Sequence, residues 1–135
     1  MNCVFCEGNG GELIWQDAHC RVVRANEADY PGLCRVVWHD HIMEMTDLRA
    51  AERERCMIVV FELERALRAL LNPDKINVAS LGNAVPHLHW HVIPRFRDDR
   101  HYPSAIWAAP LRDGTIRALP EQFDELLRGQ LKNLG

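Results

Sequence analysis

The chain is 135 residues long, 47% hydrophobic and 26% charged, with a formal net charge of −3. That balance suits a domain that buries a core without help from disulfides, and it excludes the disordered and collagen-like classes. The slight acidity offers no broad basic field for a nucleic-acid backbone. The strongest apolar run, Cys56 to Phe61, is far short of the roughly 20 residues a membrane span needs, and no basic amino-terminal region leads into an apolar one. The expectation is one cytoplasmic domain over residues 1–135, with neither nucleic acid nor membrane as a partner.

The first feature along the chain is a Cys-x-x-Cys pair, Cys3 and Cys6. With five cysteines and no export signal, metal or redox chemistry outranks a disulfide scaffold. Gly8-Asn9-Gly10-Gly11 reads as a turn, and Leu13–Gln16 and Cys20–Arg24 flank Asp17-Ala18 as a hairpin. After the Pro31-Gly32 turn, Leu33–Trp38 carries residues suited to a half-buried third strand. Apolar positions from Leu48 to Leu71 recur at helical spacing, with Thr46 or Asp47 placed as the cap and Asn72-Pro73 as the stop. Lys75–Ser80 reads as a strand, Leu81–Pro86 as a tight loop, and His87–Pro94 as an alternating strand that ends where Pro94 interrupts pairing. Pro120, followed by Glu121, Phe123, Leu126 and Leu127, opens a short terminal helix.

The densest chemistry lies in His87-Leu88-His89-Trp90-His91-Val92-Ile93. A period of two sends all three imidazoles to one face and leaves Trp90 for the core. Such a row can supply a nucleophile, a proton donor or metal ligands, and seven histidines in this length rarely fall into strict alternation by composition alone. One reading makes the three rings a facial metal triad that activates water. At the other end of the chain, the two thiolates of Cys3 and Cys6 can reach one ion, and zinc completes such a site with two further Cys or His ligands. A reduced dithiol or redox pair competes, although the thioredoxin-like βαβ context is missing. Cys20, Cys34 and Cys56 read as buried free cysteines, and His19 and His101 as loop surface residues.

His87–Ile93 resembles the signature of the histidine triad (HIT) superfamily, His-φ-His-φ-His-φ-φ with φ apolar, and every position fits. Gly82-Asn83 precedes it where the family usually shows Gly-Gln, Ile93-Pro94-Arg95 follows it as in many bacterial members, and the amino-terminal Cys-x-x-Cys also matches. The likeness covers residues 2–107. It implies an α+β domain in which an antiparallel sheet carries one long helix, with a short carboxy-terminal helix, and in which two subunits join into a homodimer with an extended sheet.

The resemblance also implies a nucleotide substrate and roles residue by residue. His89 attacks the α-phosphorus to form a nucleotidyl-histidine, which water hydrolyses. His91 donates to the phosphate oxygens, and Asn83, one methylene shorter than the usual Gln, contacts the phosphate or leaving oxygen. Asn26 lies near the ribose position, and Trp107 resembles a tryptophan that helps close the site in related bacterial members, with simple packing as its plainer role. From its own place on the strand before the loop, Asn77 either bonds the nucleotide or serves pairing or a turn. For the metal, the resemblance implies His41 and His87 as the partners of Cys3 and Cys6 around a structural zinc, with His39 a competitor for His41. Histidine at position 91 and the short chain favour a hydrolase over the transferase branch. The substrate class is a dinucleoside polyphosphate or nucleoside phosphoramidate, adenine being the implied base. The alternatives are a nucleotide-binding or interaction module with little turnover, and the metal-dependent hydrolase.

Overall fold

The computed structural model describes residues 2–135. A short helix α1 (Val4–Glu7) is followed by strands β1 (Glu12–Gln16), β2 (Cys20–Arg24) and β3 (Cys34–Trp38), then the long helix α2 (Ala50–Leu71). Strands β4 (Lys75–Ala79) and β5 (His89–Arg95) come next, and α3 (Phe123–Leu131) closes the chain with a final 3₁₀ turn, Lys132–Leu134. Among the described residues, no helix is long and apolar enough to cross a membrane.

All five strands pair antiparallel in the order β1-β2-β3-β5-β4. Alternation gives the sheet two unlike faces. Val22, Cys34, Val36, Trp38 and Val92 turn to one side and meet Cys56, Val59, Val60, Leu63, Ala66 and Leu67 of α2. Phe123, Leu127 and Leu131 of α3 join the same cluster. Each valine, leucine or phenylalanine side chain so removed from water contributes about 1.5–3 kcal/mol. The opposite face carries Val23 and Val37, covered by Cys3 and Phe5 of the amino-terminal segment, and, further along, Arg35, His89 and His91. Because β5 lies between β3 and β4, the histidine strand sits inside the sheet and both of its edges are held.

The long helix begins two residues later than its pattern suggested, and neither Thr46 nor Asp47 caps it. The chain first makes a 3₁₀ turn, Met45–Asp47, in which the Asp47 carboxylate accepts the Glu44 N–H at 3.1 Å. Leu48 then returns to an extended conformation, so the helix cap shifts to Arg49, whose N–H donates to Glu52 Oε1 at 2.9 Å. At the far end Asn72, at φ 47°, donates its N–H to the Arg68 carbonyl, and Pro73 follows.

Two boundaries of the histidine strand also move. It starts at His89, because the preceding segment is drawn aside and Leu88 donates its N–H to the Ile42 carbonyl at 2.8 Å. It runs through Pro94 to Arg95, opposite Ile76 and Lys75 of β4. Proline is tolerated there because β3 has already ended, its last pair being Cys34 with Val92.

Candidate active site and metal centre

Four ligand atoms converge where the amino-terminal segment crosses the sheet. Those of Cys3, Cys6, His41 and His87 all lie within 4.8 Å of one another. His87 Nε2 donates to the Trp38 carbonyl at 2.6 Å, which leaves Nδ1 as a bare lone pair. That Nδ1 lies 3.3 Å from Cys3 Sγ, 3.5 Å from Cys6 Sγ and 3.2 Å from His41 Nδ1, while His41 Nδ1 is 3.3 Å from Cys6 Sγ. Zinc bond lengths of about 2.3 Å to sulfur and 2.0–2.1 Å to nitrogen, arranged as a tetrahedron, put ligand nitrogens about 3.3 Å apart and sulfur about 3.5 Å from nitrogen. These four separations are close to that geometry, and two imidazole nitrogens beside two sulfurs suit a cation. These four residues could hold a metal ion.

The competitor His39 is engaged elsewhere. Its Nε2 donates to the Asp17 carbonyl at 2.9 Å and its Nδ1 accepts from Arg21 at 3.1 Å. Arg21 also donates to the carbonyls of Phe5, Gly8 and Asn9, so one guanidinium gathers the whole Cys-x-x-Cys loop.

Beyond these four residues, His89 and His91 line a cavity of about 600 Å³ with Phe5, Asn83, Val85 and Trp107. That volume matches small-molecule sites generally. His89 Nδ1 donates to the His87 carbonyl at 2.6 Å, so its Nε2 keeps the lone pair. Burial, with the Arg35 charge behind it, holds His89 below the ordinary imidazole range despite that bond. The same causes, and His89 itself, push His91 down to about 4. The two rings stand edge to face at 4.9 Å, and Trp107 closes on His91 at 5.0 Å. Phe5 packs against His89 at 4.7 Å, so the segment that bears the cysteines also walls the cavity. It can come that close because Gly10, at φ +88°, has no Cβ; one built there would lie 2.3 Å from the Phe5 ring.

The three triad rings therefore divide between two tasks. His87 belongs to the Cys3-Cys6-His41 cluster, whereas His89 and His91 face the cavity. Asn83 also reaches the cavity, on a loop that turns at Gly82, φ +72°. Asn26 and Asn77 do not line it. Asn26 is exposed just past β2, near the Arg24 guanidinium at 3.4 Å. Asn77 stands opposite Ile93, and its Oδ1 accepts from Arg95 at 2.7 Å. Trp90 faces the core side, as alternation requires. Cys20, Cys34 and Cys56 are buried and free.

The HIT domain family model matches residues 8–98. This chain belongs to the HIT family. The solved structures place it among HIT folds over nearly its whole length. A histidine triad protein from Bradyrhizobium japonicum aligns at 25% identity and TM-score 0.75, over 90% of this chain and 91% of that one. A Zn-bound histidine triad family protein from Mycobacterium smegmatis aligns at 25% identity and TM-score 0.67, over 99% and 96% of the two chains. The diadenosine triphosphate hydrolase of Plasmodium falciparum, at 19% identity, TM-score 0.64 and coverage of 90% and 77%, shares the fold. Sequence comparison with curated proteins finds no match.

Sequence patterns alone missed several groups in this HIT protein. Arg35 lines the cavity from β3, directly opposite His91; its signal was a lone charge in an otherwise apolar strand. His101, expected on the surface, is buried, with Nδ1 2.6 Å from the Tyr30 hydroxyl. Tyr30 in turn donates to Asp99, which accepts two bonds from buried Arg95. These partners lie 69 and 71 residues from Tyr30 along the chain, so no local pattern reports them.

Proposed function

We propose that this protein is a hydrolase that cleaves a phosphoanhydride or phosphoramidate at the α-phosphorus of an adenine nucleotide, through a nucleotidyl-histidine intermediate. HIT proteins are commonly nucleotide hydrolases or nucleotide binders, and the P. falciparum neighbour is named for the first activity. The observation that carries the reading is the 2.6 Å bond from His89 Nδ1 to the His87 carbonyl. It sets the tautomer so that Nε2, with no protein partner among the described residues, is free to attack.

In the first step Nε2 bonds to phosphorus as the bond to the leaving group breaks, and the leaving atom takes a proton from solvent water. In the second, water attacks phosphorus and gives up a proton to the solvent, the P–N bond breaks and the imidazole regains its lone pair. A neutral His91 donates to the phosphoryl oxygens, meeting negative charge with a preplaced donor. Asn83 serves the phosphate or leaving oxygen, and Trp107 covers the His91 side. Asn26 keeps the ribose role as the exposed amide past β2, and Asn77 takes the structural one.

Cys3, Cys6, His41 and His87 hold a structural zinc in this reading, where a closed Cys2His2 set would cross-link the amino-terminal segment to the segment that leads into β5. The facial three-histidine site is disfavoured because His87 is turned into that cluster. The protein acts in the cytoplasm as a homodimer. Exposed Ile58 and Phe61 on α2 and the open edge of β4 are surfaces suited to the second subunit.

Incubation with adenosine phosphoramidates and dinucleoside polyphosphates, with release of nucleoside monophosphate followed and adducts trapped by intact mass, tests the chemistry. The expected result is turnover with a covalent nucleotidyl adduct, both lost in His89→Ala while fold and metal content persist. Nucleotide binding without turnover would favour the binding module, and turnover retained by the variant would exclude His89 as nucleophile.

A further inference from the structure

Arg35 is the only charged side chain among the described residues that line the His89–His91 cavity. It projects from β3 at the register position paired with His91. Its own ties are weak. Nη1 donates to the Gly10 carbonyl at 3.3 Å, and Nη2 lies 3.7 Å from the carboxylate of half-exposed Glu27. Arg35 Nε is buried and has no partner, and so is Nδ1 of the neighbouring His91. A buried polar atom left without a partner is unfavourable, most of all on a charged group, and two of them on register-paired residues of one cavity wall are accounted for by a ligand atom between the two side chains.

The chemistry of that atom follows from what surrounds it. Arg35 has no acceptor capacity and a permanent positive charge. His91 is neutral near pH 7, since burial, His89 and Arg35 depress its protonation. Among the described residues the cavity thus presents one fixed cation, with no lysine and no carboxylate in its lining to compensate it. A planar guanidinium in a partly dry cleft is matched by an ionised phosphate oxygen.

Building on the nucleotidyl hydrolase reading, we propose that Arg35 is a substrate-binding residue of this site: its guanidinium engages an ionised oxygen of the phosphate next to His91, and it supplies the standing positive charge that the triad histidines lack. Selection for a phosphorylated over an uncharged nucleoside then rests on Arg35 more than on the histidines.

The test compares AMP with adenosine by titration calorimetry in the wild type, Arg35→Met and Arg35→Lys, with melting temperature as the control for folding. The expected result is a roughly ten- to hundredfold loss of the preference for AMP in Arg35→Met, partial recovery in Arg35→Lys, and unchanged affinity for adenosine. In parallel, the Arg35 Nε–H resonance of the wild type, assigned by its absence in Arg35→Lys, is followed during addition of AMP and of pyrophosphate. If AMP binds with its preference intact in Arg35→Met, the role of Arg35 is overturned while the nucleotide reading stands. If AMP does not bind but pyrophosphate shifts the resonance, the nucleotide reading fails and Arg35 remains an anion anchor. If neither anion shifts it, Arg35 is no phosphate ligand.

Discussion

His91 shows how one position joins chemistry to stability. Its ring is enclosed by His89 on its own strand, Arg35 across on β3 and Trp107 over the top, and its β4 neighbour Ala79 carries no charge. Burial and those two basic neighbours push it down to about 4, whereas an unfolded chain takes up the proton near 6.5. Between those values the unfolded state binds more protons, so acidification from about pH 6.5 to about pH 4 removes stability, and below that the loss levels off. The contribution is on the order of 3 kcal/mol. Urea unfolding at pH 7 and pH 4.5 in the wild type and in His91→Gln checks this. The wild type should lose more stability on acidification than the variant, and equal losses would show that His91 is not the group responsible.

At the scale of elements, α2 is the beam on which the sheet rests. Leu63 is fully buried at the centre of its inner face, among residues of the sheet and of α3. Leu63→Ala leaves a cavity that a helix pinned along its whole length cannot collapse, and should destabilise the protein by about 2–5 kcal/mol. Chemical denaturation measures it, and a loss below about 1 kcal/mol would mean that the core repacks. The helix was legible because its apolar stripe spans six turns. Its start was not, because the choice between a cap at Asp47 and one at Arg49 was decided by the 3₁₀ turn and by Glu52, whose carboxylate reaches back to the Arg49 N–H. Pro94 is similar. It reads locally as a strand end, and only the length of β3 beside it makes it tolerable within β5.

At the scale of the molecule, the amino-terminal segment, the β3–α2 connection and the strand entry at His87 meet at one point. These pieces are 35 and 81 residues from Cys6 along the chain, so an ion bound there would close two long loops at once. A zinc ion held by Cys3, Cys6, His41 and His87 should be present at one equivalent. Chelation should lower the melting temperature and expose the Phe5 wall of the cavity. His87→Ala should lose both the metal and stability; one equivalent of zinc at an unchanged melting temperature would remove His87 from the ligand set. Because Phe5 also packs on His89, metal loss should weaken nucleotide binding, which couples the two sites through the α1 segment.

Local order along the chain encodes several of these features. The alternation of His87, His89 and His91, the stripe of α2, the hairpin and the Cys-x-x-Cys pair are all periodic or contiguous, so backbone geometry alone assigns their faces. Resemblance to the HIT signature then pointed to the fold and to the four candidate ligands that converge in the structure. Tertiary structure alone decided that His39 is engaged by Arg21 and Asp17, that His101 is buried against Tyr30, that Asn77 bonds Arg95, and that Arg35 enters the cavity beside His91. Each of those outcomes depends on strand order and on partners from distant parts of the chain. A side chain's face follows from its neighbours in sequence, but what meets it there is set by how the sheet is assembled.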